Sequence, residues 1–364
     1  MKSIKLLIVI VLAVLVLSTA VASASTVYGD VNSDGKFTAF DVIYMSRAYS
    51  DWKGYTLSEE QVSLADMDDN GKFEAVDCVI AARALVGWEG YTTLPFGGAK
   101  LLYNENFEGT DLNSTKWAKC PEWERQGNSV WDDDMSYLDG NGNLILRAEW
   151  DSTINKVRCG AVRTMTKNYR PTFTAGIGYY GASIKFPLDV RQDKAIYQNK
   201  GPVGIWTAFW MMCGDVSNVD NSAADGVEID IIETISSDTG KFSSAMHWDG
   251  YESDHKSTGS GEKYSPKIYD GEFHRIALER TEDATIFYVD GVETWRMTTG
   301  DKVKNQTYTY DNCTKDGYLK LSIESAEWAY KNNGKTQADV IASLGDGAEM
   351  VIDYVKVYDK NPYR

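Results

Sequence analysis

The sequence predicts an all-β sandwich over residues 101–364, preceded by a small all-α domain over residues 25–91. Two observations favour the sandwich. The long second region holds many short β-prone runs, and turn sequences such as Asp290-Gly291 separate them. One observation favours the small domain: a short segment occurs twice, and each copy leads into an apolar run of helical period. We expect residues 92–100 to link the two domains.

The first residues predict a secretory signal peptide. Two lysines precede an apolar run over residues 6–17, and small residues end at Ala24. A membrane anchor is the alternative, but the apolar run is short for a span, so export with cleavage after Ala24 is favoured. We therefore expect residues 1–24 to be removed and the protein to be secreted, with no membrane-embedded part.

Net charge limits the classes of partner. The formal net charge is -16, whereas nucleic acids and anionic membranes bind cationic surfaces. A neutral polymer is a better match than either. The chain has five cysteines, an odd number, and their spacing suggests neither a zinc site nor a catalytic thiol. The sequence leaves open whether Cys120 and Cys159 form a disulfide.

The repeated segment, residues 30–41 and 66–77, has the pattern of a calcium-binding loop. Oxygen ligands at positions 1, 3, 5 and 12, with glycine at position 6, suit a hard cation. An acidic turn before each helix is the alternative, but two copies matching at every ligand position favour two calcium ions. The predicted ligands are Asp30, Asn32, Asp34 and Asp41 in the first loop and Asp66, Asp68, Asn70 and Asp77 in the second.

Residues 27–91 resemble a dockerin, the module that plugs enzymes into cohesins on a cellulosomal scaffold protein. As in dockerins, loop position 12 is aspartate, at Asp41 and Asp77. Positions 10 and 11, where dockerins usually carry residues that read the cohesin, are apolar here: Ala39-Phe40 and Ala75-Val76. The resemblance implies a cohesin partner, and the apolar pairs imply that its surface is hydrophobic.

The β-prone runs of the large region are spaced as in a sandwich of antiparallel sheets. Such a sheet offers a concave face able to hold an extended polymer, and the abundant Trp and Tyr can stack on sugar rings. The predicted strands include residues 143–149, 178–186, 203–212, 273–279, 285–289, 318–323 and 350–358.

Residues 228–233, Glu-Ile-Asp-Ile-Ile-Glu, place three acids in a β-prone segment. Alternation puts Glu228 and Asp230 on one face and Glu233 on the other, unless a bulge at Ile231-Ile232 restores the parity. Three crowded carboxyls cannot all ionise freely, so one holds a proton while another acts as a nucleophile, as glycoside hydrolysis requires. Acids on a solvated strand face are the alternative, but acids are poor strand formers, so catalysis is favoured.

This hexapeptide matches the longer, bulged signature of glycoside hydrolase family 16, and the resemblance spans residues 101–359. It implies a β-jelly roll and hydrolysis with retention of configuration, needing no metal for the chemistry. It also implies that Glu228 is the nucleophile and Glu233 the acid/base, with Asp230 tuning both. The other stretches that resemble the family are residues 106–109, 204–210, 247–248, 270–274, 287–291 and 352–358.

Aromatic residues near the acids are candidates for substrate binding. Trp206 and Trp210 share a strand face that either lines the sugar groove or belongs to the core. By resemblance, His247 hydrogen-bonds near the acid/base, and Trp248 or Tyr251 stacks on a sugar. A buried structural histidine is the alternative for His247.

Three further predictions rest on less specific sequence patterns. Arg163 can reach a sugar hydroxyl, although a surface ion pair explains it as well. Trp123, Trp131 and Glu327-Trp328 are candidates for subsite walls. Asp353 matches a family position that often helps bind a structural calcium ion, with the carbonyl of Gly109 nearby.

Together these features predict a secreted, cellulosome-attached endo-β-glucanase that cuts β-1,3 or mixed β-1,3-1,4 glucans with retention. An endo-hydrolase of xyloglucan or another β-glycan is the enzymatic alternative. A non-catalytic carbohydrate-binding jelly roll is the alternative from another class, and the intact acids Glu228 and Glu233 argue against it.

Overall fold

The computed structural model describes residues 29–68, 72–87, 99, 101–121, 123–213, 226–235, 240–251, 255–303 and 306–363. The chain divides into two compact units, with the division between Gly97 and Gly98. The predicted signal peptide and the predicted ligand Asn70 lie outside the described residues. No helix within those ranges has the length and apolar character needed to cross a membrane.

Within the described residues, the first unit contains three helices: α1 (Ala39–Tyr49), α2 (Glu59–Ala65) and α3 (Ala75–Leu85). The helical runs predicted after each acidic loop are confirmed as α1 and α3. Helix α2 was not predicted, because it is short and lacks an extended apolar repeat; its signal is the Ser58 and Gln61 capping box. A small core is formed by Val31, Met45, Ala65, Met67 and Ala81.

The second unit is built mainly from strands. In chain order these are β1 (Leu101–Glu105), β2 (Ala118–Lys119), β3 (Trp123–Arg125), β4 (Ser129–Trp131), β5 (Ser136–Leu138), β6 (Leu144–Asp151), β7 (Lys156–Cys159), β8 (Ala161–Arg163), β9 (Gly178–Lys185), β10 (Ile205–Cys213), β11 (Val227–Glu233), β12 (Ser243–Trp248), β13 (Lys256–Gly259), β14 (His274–Arg280), β15 (Ala284–Val289), β16 (Val292–Thr298), β17 (Lys302–Val303), β18 (Gln306–Thr307), β19 (Gly317–Ser325) and β20 (Ala348–Tyr358).

Two sheets form a sandwich. One has eleven strands and the main order β16-β15-β14-β9-β20-β6-β7-β4-β3, with β1 paired to β20 and β5 to β6. The other, which we call the cleft sheet, has the order β13-β12-β11-β10-β19-β8-β2. Apolar side chains of both sheets form one large buried core. The seven runs predicted as strands lie in β6, β9, β10, β14, β15, β19 and β20, so the predicted sandwich is confirmed.

Three short helices in the second unit escaped the sequence prediction: α4 (Tyr310–Thr314), α5 (Glu327–Asn332) and α6 (Gln337–Leu344). Each is too short to show a helical apolar period over several turns. Helix α5 begins two residues after β19 ends, and it carries Trp328 to the rim of the cleft described below.

All five cysteines are described and free, so Cys120 and Cys159 do not form a disulfide. Four of them are buried, and Cys78 is half-buried in the first unit. The second unit is therefore held together without a disulfide.

Candidate active site

Strand β11 contains a bulge at the predicted place. Along β10 the pairing advances regularly, yet Phe209 faces Ile232 and the next residue, Trp210, faces Asp230. Ile231 is therefore the extra residue, and the register of β11 against β12 shifts at the same point. The bulge restores the parity of Glu233 with Glu228 and Asp230, as predicted. On β10 the partners of the three acids are Met212, Trp210 and Ala208.

The isoleucines of the same segment explain why it folds as a strand. Ile229 and Ile232 are fully buried in the core between the sheets. Their burial holds the opposite face, with its three acids, toward the cleft. Glu228 is half-buried, whereas Asp230 and Glu233 are buried despite their charge.

The crowding of the acids changes their protonation. Burial raises the pKa of Asp230 well above its usual range, and the neighbouring Glu228 carboxylate raises it further. Burial likewise raises the pKa of Glu233, with added repulsion from Asp230 and Glu228. Glu233 is 8% exposed. It therefore favours the protonated form at pH values where an exposed glutamate is ionised.

Trp206 holds Glu233 in place. Its indole Nε1 donates a hydrogen bond of 2.9 Å to Oε1 of Glu233. The Trp206 ring also packs edge-on against Trp328 of α5, with ring centroids 5.8 Å apart. Glu233 is thereby connected, through Trp206, to Trp328 at the rim of the cleft.

His247 lies beside the other two acids. Its Nε2 is 3.3 Å from Oδ2 of Asp230, and its Nδ1 is 3.0 Å from Nε2 of His255. Donor atoms of Glu228, Asp230 and His247 all lie within 4.8 Å of one another, close enough to hold a cation. Burial and the Glu228 carboxylate raise the pKa of Tyr251, so its phenol stays protonated and can donate a hydrogen bond there.

A cleft of about 720 Å³ runs over this face of the cleft sheet. Of the predicted substrate-binding residues, Trp206, Trp210, His247 and Arg163 all line it. The more weakly indicated Trp131, Tyr251 and Trp328 line it as well. The cleft has the size and the aromatic walls expected of a site for an extended glycan.

The prediction that Trp248 stacks on a sugar is wrong. Trp248 is 0% exposed and packs in the core, with its ring against Tyr308. Side chains alternate along β12, so once His247 faces the cleft its neighbour must face the core. Tyr251, the other residue considered for stacking, lies beside the His247 ring instead.

Strand β19 supplies cleft residues that the sequence analysis missed. Tyr318, Lys320, Ser322 and Glu324 line the cleft, whereas the alternate residues of β19 are buried. The signal was present as a strict alternation of polar and apolar residues. Glu324 forms an ion pair with another missed residue, Arg125, at 2.7 Å. Ser322 accepts a hydrogen bond of 3.1 Å from Nε1 of Trp210.

Side chains from neighbouring strands form rows across the cleft sheet. One row follows the cross-strand partners Asp230, Trp210, Lys320 and Arg163, from β11 through β10 and β19 to β8. Neighbouring strands lie about 4.8 Å apart, so this row measures distance across the sheet in steps of one strand.

The loops of the first unit present the predicted calcium ligands. Carboxylate oxygens of Asp66, Asp68 and Asp77 lie within 4.8 Å of one another. In the first loop, Asp30 accepts hydrogen bonds from the backbone of Asp34 and Gly35, which curls the loop around its oxygens. A cluster of buried oxygen donors fits a hard divalent cation.

The last ligand of each loop also caps the following helix. Asp41 accepts from the Thr38 amide at 2.8 Å, and Asp77 accepts from the Glu74 amide at 2.7 Å. Both aspartates are fully buried. Burial and the nearby Asp68 raise the pKa of Asp77, an environment that a bound cation would relieve.

Two further predictions concern surfaces and a separate ion. Phe40 is 74% exposed and Val76 is also exposed, as the predicted partner surface requires. Asp353 lies in β20 where the pairing with β9 shifts between Ile352 and Tyr354. A calcium site at Asp353 stays a prediction.

Two family models match the chain. Residues 144–342 match the model of glycosyl hydrolases family 16, and residues 28–86 match that of the dockerin type I domain. Among curated proteins, the β-agarase AgaB34 of Agarivorans albus is 24% identical over 284 residues. That match covers 70% of this chain, which spans 55% of the length of the agarase.

Solved structures share the fold of the second unit. A family 16 structure from the mixed-linkage glucan locus of Bacteroides ovatus, in complex with a G4G4G3G product, has a TM-score of 0.53 at 21% identity, covering 70% of this chain and 99% of that one. An endo-β-1,3-glucanase from Pyrococcus furiosus has a TM-score of 0.51 at 20% identity, covering 74% and 98%.

Proposed function

Because the chain belongs to glycosyl hydrolases family 16, we propose that it is a retaining endo-β-glucanase that cuts β-1,3 or mixed β-1,3-1,4 glucans. The observation that carries this proposal is the bulge at Ile231, which brings Glu228, Asp230 and Glu233 onto one wall of an aromatic cleft. The structure from the mixed-linkage glucan locus of Bacteroides ovatus and the endo-β-1,3-glucanase of Pyrococcus furiosus support the choice of glucan.

Glu228 and Glu233 divide the chemistry between them. In the first step a Glu228 carboxylate oxygen bonds to the anomeric carbon, while Glu233 gives its proton to the departing glycosidic oxygen. In the second step Glu233 takes a proton from water, whose oxygen displaces Glu228 from the anomeric carbon. The raised pKa of Glu233 suits it to start the cycle protonated. Two displacements leave the anomeric configuration unchanged.

Asp230 and Trp206 serve these two groups. Asp230 lies between them on the strand, and its charge contributes to the raised pKa of Glu233. The Trp206 indole donates to Glu233, so it favours the anionic form that the acid/base reaches after giving up its proton. The two influences oppose each other, which suits a group that must both release and recover a proton.

The β-agarase relative supports another β-glycan as the alternative backbone, since its name gives a galactan-type substrate. The cleft walls are mainly aromatic and apolar, with polar groups at a few points, and such a lining accepts several neutral sugars. The choice between glucan and galactan therefore depends on measurement of the cleaved polymer.

The first unit anchors the enzyme. Dockerin type I domains bind calcium and pair with cohesins, so a cohesin of a cellulosomal scaffold protein is the partner. We assign one calcium ion to each loop, held by Asp30, Asn32, Asp34 and Asp41 and by Asp66, Asp68, Asn70 and Asp77. In this organisation residues 1–24 are the signal peptide, 25–91 the dockerin, 92–100 the linker and 101–364 the catalytic domain. The mature protein is then extracellular.

Reducing-sugar release tests the proposed reaction. The mature protein and its Glu228→Gln variant are incubated with lichenan, laminarin, xyloglucan and agarose. We expect release from lichenan or laminarin by the natural protein and none by the variant. Release from xyloglucan or agarose alone would replace glucan with another β-glycan, and no release from any of the four would favour a binding module.

A further inference from the structure

Two cations lie side by side in the cleft, on strands other than the one that carries the three acids. Lys320 of β19 and Arg163 of β8 are direct cross-strand partners, and both line the cleft. In the row that begins at Asp230, Lys320 stands two strands away and Arg163 three. At about 4.8 Å per strand, their backbones lie roughly 10 and 14 Å from that of Asp230 across the sheet, and the side chain of Lys320 reaches back over Trp210.

Neither cation has a carboxylate partner among the described residues. No acidic oxygen of those residues forms an ion pair with Lys320 or Arg163, whereas Arg125 in the same cleft is paired with Glu324 at 2.7 Å. Arg163 is only 7% exposed, and its buried Nε has no hydrogen-bond partner. An unpaired buried guanidinium is costly, so its retention requires an explanation.

Aromatic rings position both cations. The ammonium of Lys320 lies 3.6 Å from the ring centroid of Trp210 and 5.2 Å from that of Trp131. The guanidinium of Arg163 lies 4.2 Å from the ring centroid of Tyr169. These contacts offset part of the lost hydration but leave N–H donors unused. Burial lowers the pKa of Lys320 to about 8, so it remains mainly protonated at neutral pH.

The charge composition of the chain strengthens the argument that Lys320 and Arg163 bind a ligand. There are 53 acidic and 37 basic residues, so acidic partners are plentiful elsewhere on the molecule. Two cations of the cleft that lack a carboxylate partner among the described residues, in so acidic a protein, indicate that the partner arrives with the ligand. Arginine and lysine together suit an anion with several acceptor oxygens.

We propose that Lys320 and Arg163 bind an acidic substituent, a sulfate ester or a uronate carboxylate, carried by the glycan in the cleft. The inference rests on the proposed function in that it assumes a glycan bound across the cleft sheet. The acidic group is carried by a sugar that lies over β19 and β8, because Lys320 and Arg163 belong to those strands.

A different role for Lys320 is to steady the charge of the catalytic acids, since Glu228 acts on its pKa. That role would affect acidic and neutral substrates alike. A role in binding a substituent affects the preference between them. The ratio of the two affinities therefore separates the roles.

The test measures binding by calorimetry to the full chain carrying Glu228→Gln, which prevents turnover. The probes are oligosaccharides of laminarin and of agarose, each in neutral, sulfated and carboxymethylated form. We expect one acidic form to bind at least about tenfold more tightly than its neutral parent, the effect of one charge-assisted hydrogen bond. Added Lys320→Gln or Arg163→Gln should bring the ratio close to one.

Lys315→Gln is the matched control, because it removes the same charge from an exposed lysine and should keep the ratio. Circular dichroism checks that each variant is folded. Equal affinity for acidic and neutral forms of both backbones would overturn the proposal, as would a preference that survives Lys320→Gln and Arg163→Gln. The sulfated and carboxymethylated probes distinguish the two sources of negative charge.

Cleavage of the neutral polymers separates this proposal from the proposed function. If the natural protein cuts laminarin or lichenan yet shows no acidic preference, the substituent site is wrong and the glucanase stands. If it cuts neither glucan but prefers an acidic agarose probe through Lys320 and Arg163, the glucan assignment is wrong and the substituent site stands.

Discussion

Nδ1 of His247 lies 3.0 Å from Nε2 of His255, while Nε2 of His247 lies 3.3 Å from Oδ2 of Asp230. The two imidazole rings are nearly parallel, with 3° between their planes. A hydrogen bond between two ring nitrogens requires one to donate and the other to accept. The tautomer of His255 therefore fixes that of His247, and through it the hydrogen bond to Asp230.

His255 is thus a positioning residue, and its replacement tests whether its hydrogen bond to His247 affects catalysis. We expect His255→Leu to lower kcat on lichenan about tenfold, the effect of one lost hydrogen bond, and to shift the pH profile. His255→Gln keeps a donor and an acceptor and should restore most of the loss. If both variants lose the same activity with an unchanged pH profile, the role of His255 is only structural.

Glu233→Gln tests the acid/base assignment. We expect lichenan hydrolysis to fall by about 10² to 10⁴, since proton transfer to the leaving oxygen is lost. A dinitrophenyl glycoside needs no such proton, so the first step on that substrate should survive and appear as a burst. Glu262→Gln, at an exposed ion pair with Lys241, is the control and should behave as the natural protein. Equal loss on both substrates would contradict the assignment.

The natural protein should also lose activity on the alkaline side as Glu233 deprotonates. Burial and the neighbouring acids raise its pKa, so this loss should begin at a higher pH than for an exposed glutamate. Trp206→Phe removes the hydrogen bond that favours the anion, so it should move the alkaline limb of kcat/KM further up. A downward shift would show that Trp206 does not act through Glu233.

Asp230→Asn should stabilise the fold at neutral pH. Burial raises the pKa of Asp230 above its unfolded value, so between these values the folded protein binds more protons than the unfolded one. Stability is then greatest below the unfolded pKa and falls by about 1.4 kcal/mol for each pH unit toward the folded pKa. The variant escapes this loss, so its Tm should exceed that of the natural protein at pH 7 but not near pH 4. A lower Tm at both pH values would contradict the argument.

Deletion of one isoleucine tests the bulge. Removing Ile231 leaves Glu228, Asp230 and Glu233 in strict alternation, so all three acids still face the cleft. Removing Ile229 instead places Glu228 and Asp230 on opposite faces. We expect the first deletion to fold and to keep measurable lichenan activity, and the second to be inactive and poorly folded. Equal behaviour in thermal unfolding and in activity would argue against the bulge as the device that aligns the acids.

Chelation of calcium should affect the first unit. EGTA removes the ions that we assign to the two loops, and we expect helical circular dichroism and cohesin binding to be lost. Activity on soluble lichenan should persist, because the three acids and the cleft lie in the second unit. Asp77→Ala should weaken calcium binding at the second loop. Unchanged cohesin binding in EGTA would contradict a calcium-dependent anchor.

The two-residue alternation of side chains along a strand predicts the faces of the three acids on β11 correctly, whereas the prediction for Trp248 on the neighbouring β12 is wrong. The alternation of side chains along β11 placed the bulge at Ile231-Ile232 because three acids needed one face, and the pairing with β10 shifts there, with Ile231 as the extra residue. The same rule, applied to β12, excludes Trp248 from the cleft as soon as His247 is placed there. The prediction for Trp248 was wrong because residue type alone does not specify which face of a strand a side chain occupies.

No single sequence motif predicts that the cations of Lys320 and Arg163 lie together. Lys320 and Arg163 are far apart in the sequence, and only the strand order β19-β8 makes them neighbours. Likewise, the contact between His247 and His255 depends on how the chain returns after β12, which no local pattern specifies. Residue alternation predicts which face of the sheet a side chain occupies, whereas strand order determines which side chains of other strands lie next to it.

The five free thiols have a consequence for how the enzyme is produced and used. With no cross-link in either unit, the fold has nothing for a reductant to break, and its assembly needs no oxidant. Four of the thiols are sealed in the interior, where burial raises the pKa of Cys120, Cys159 and Cys213 and suppresses the reactive thiolate. The fold therefore does not depend on a disulfide, whether its surroundings are oxidising or reducing.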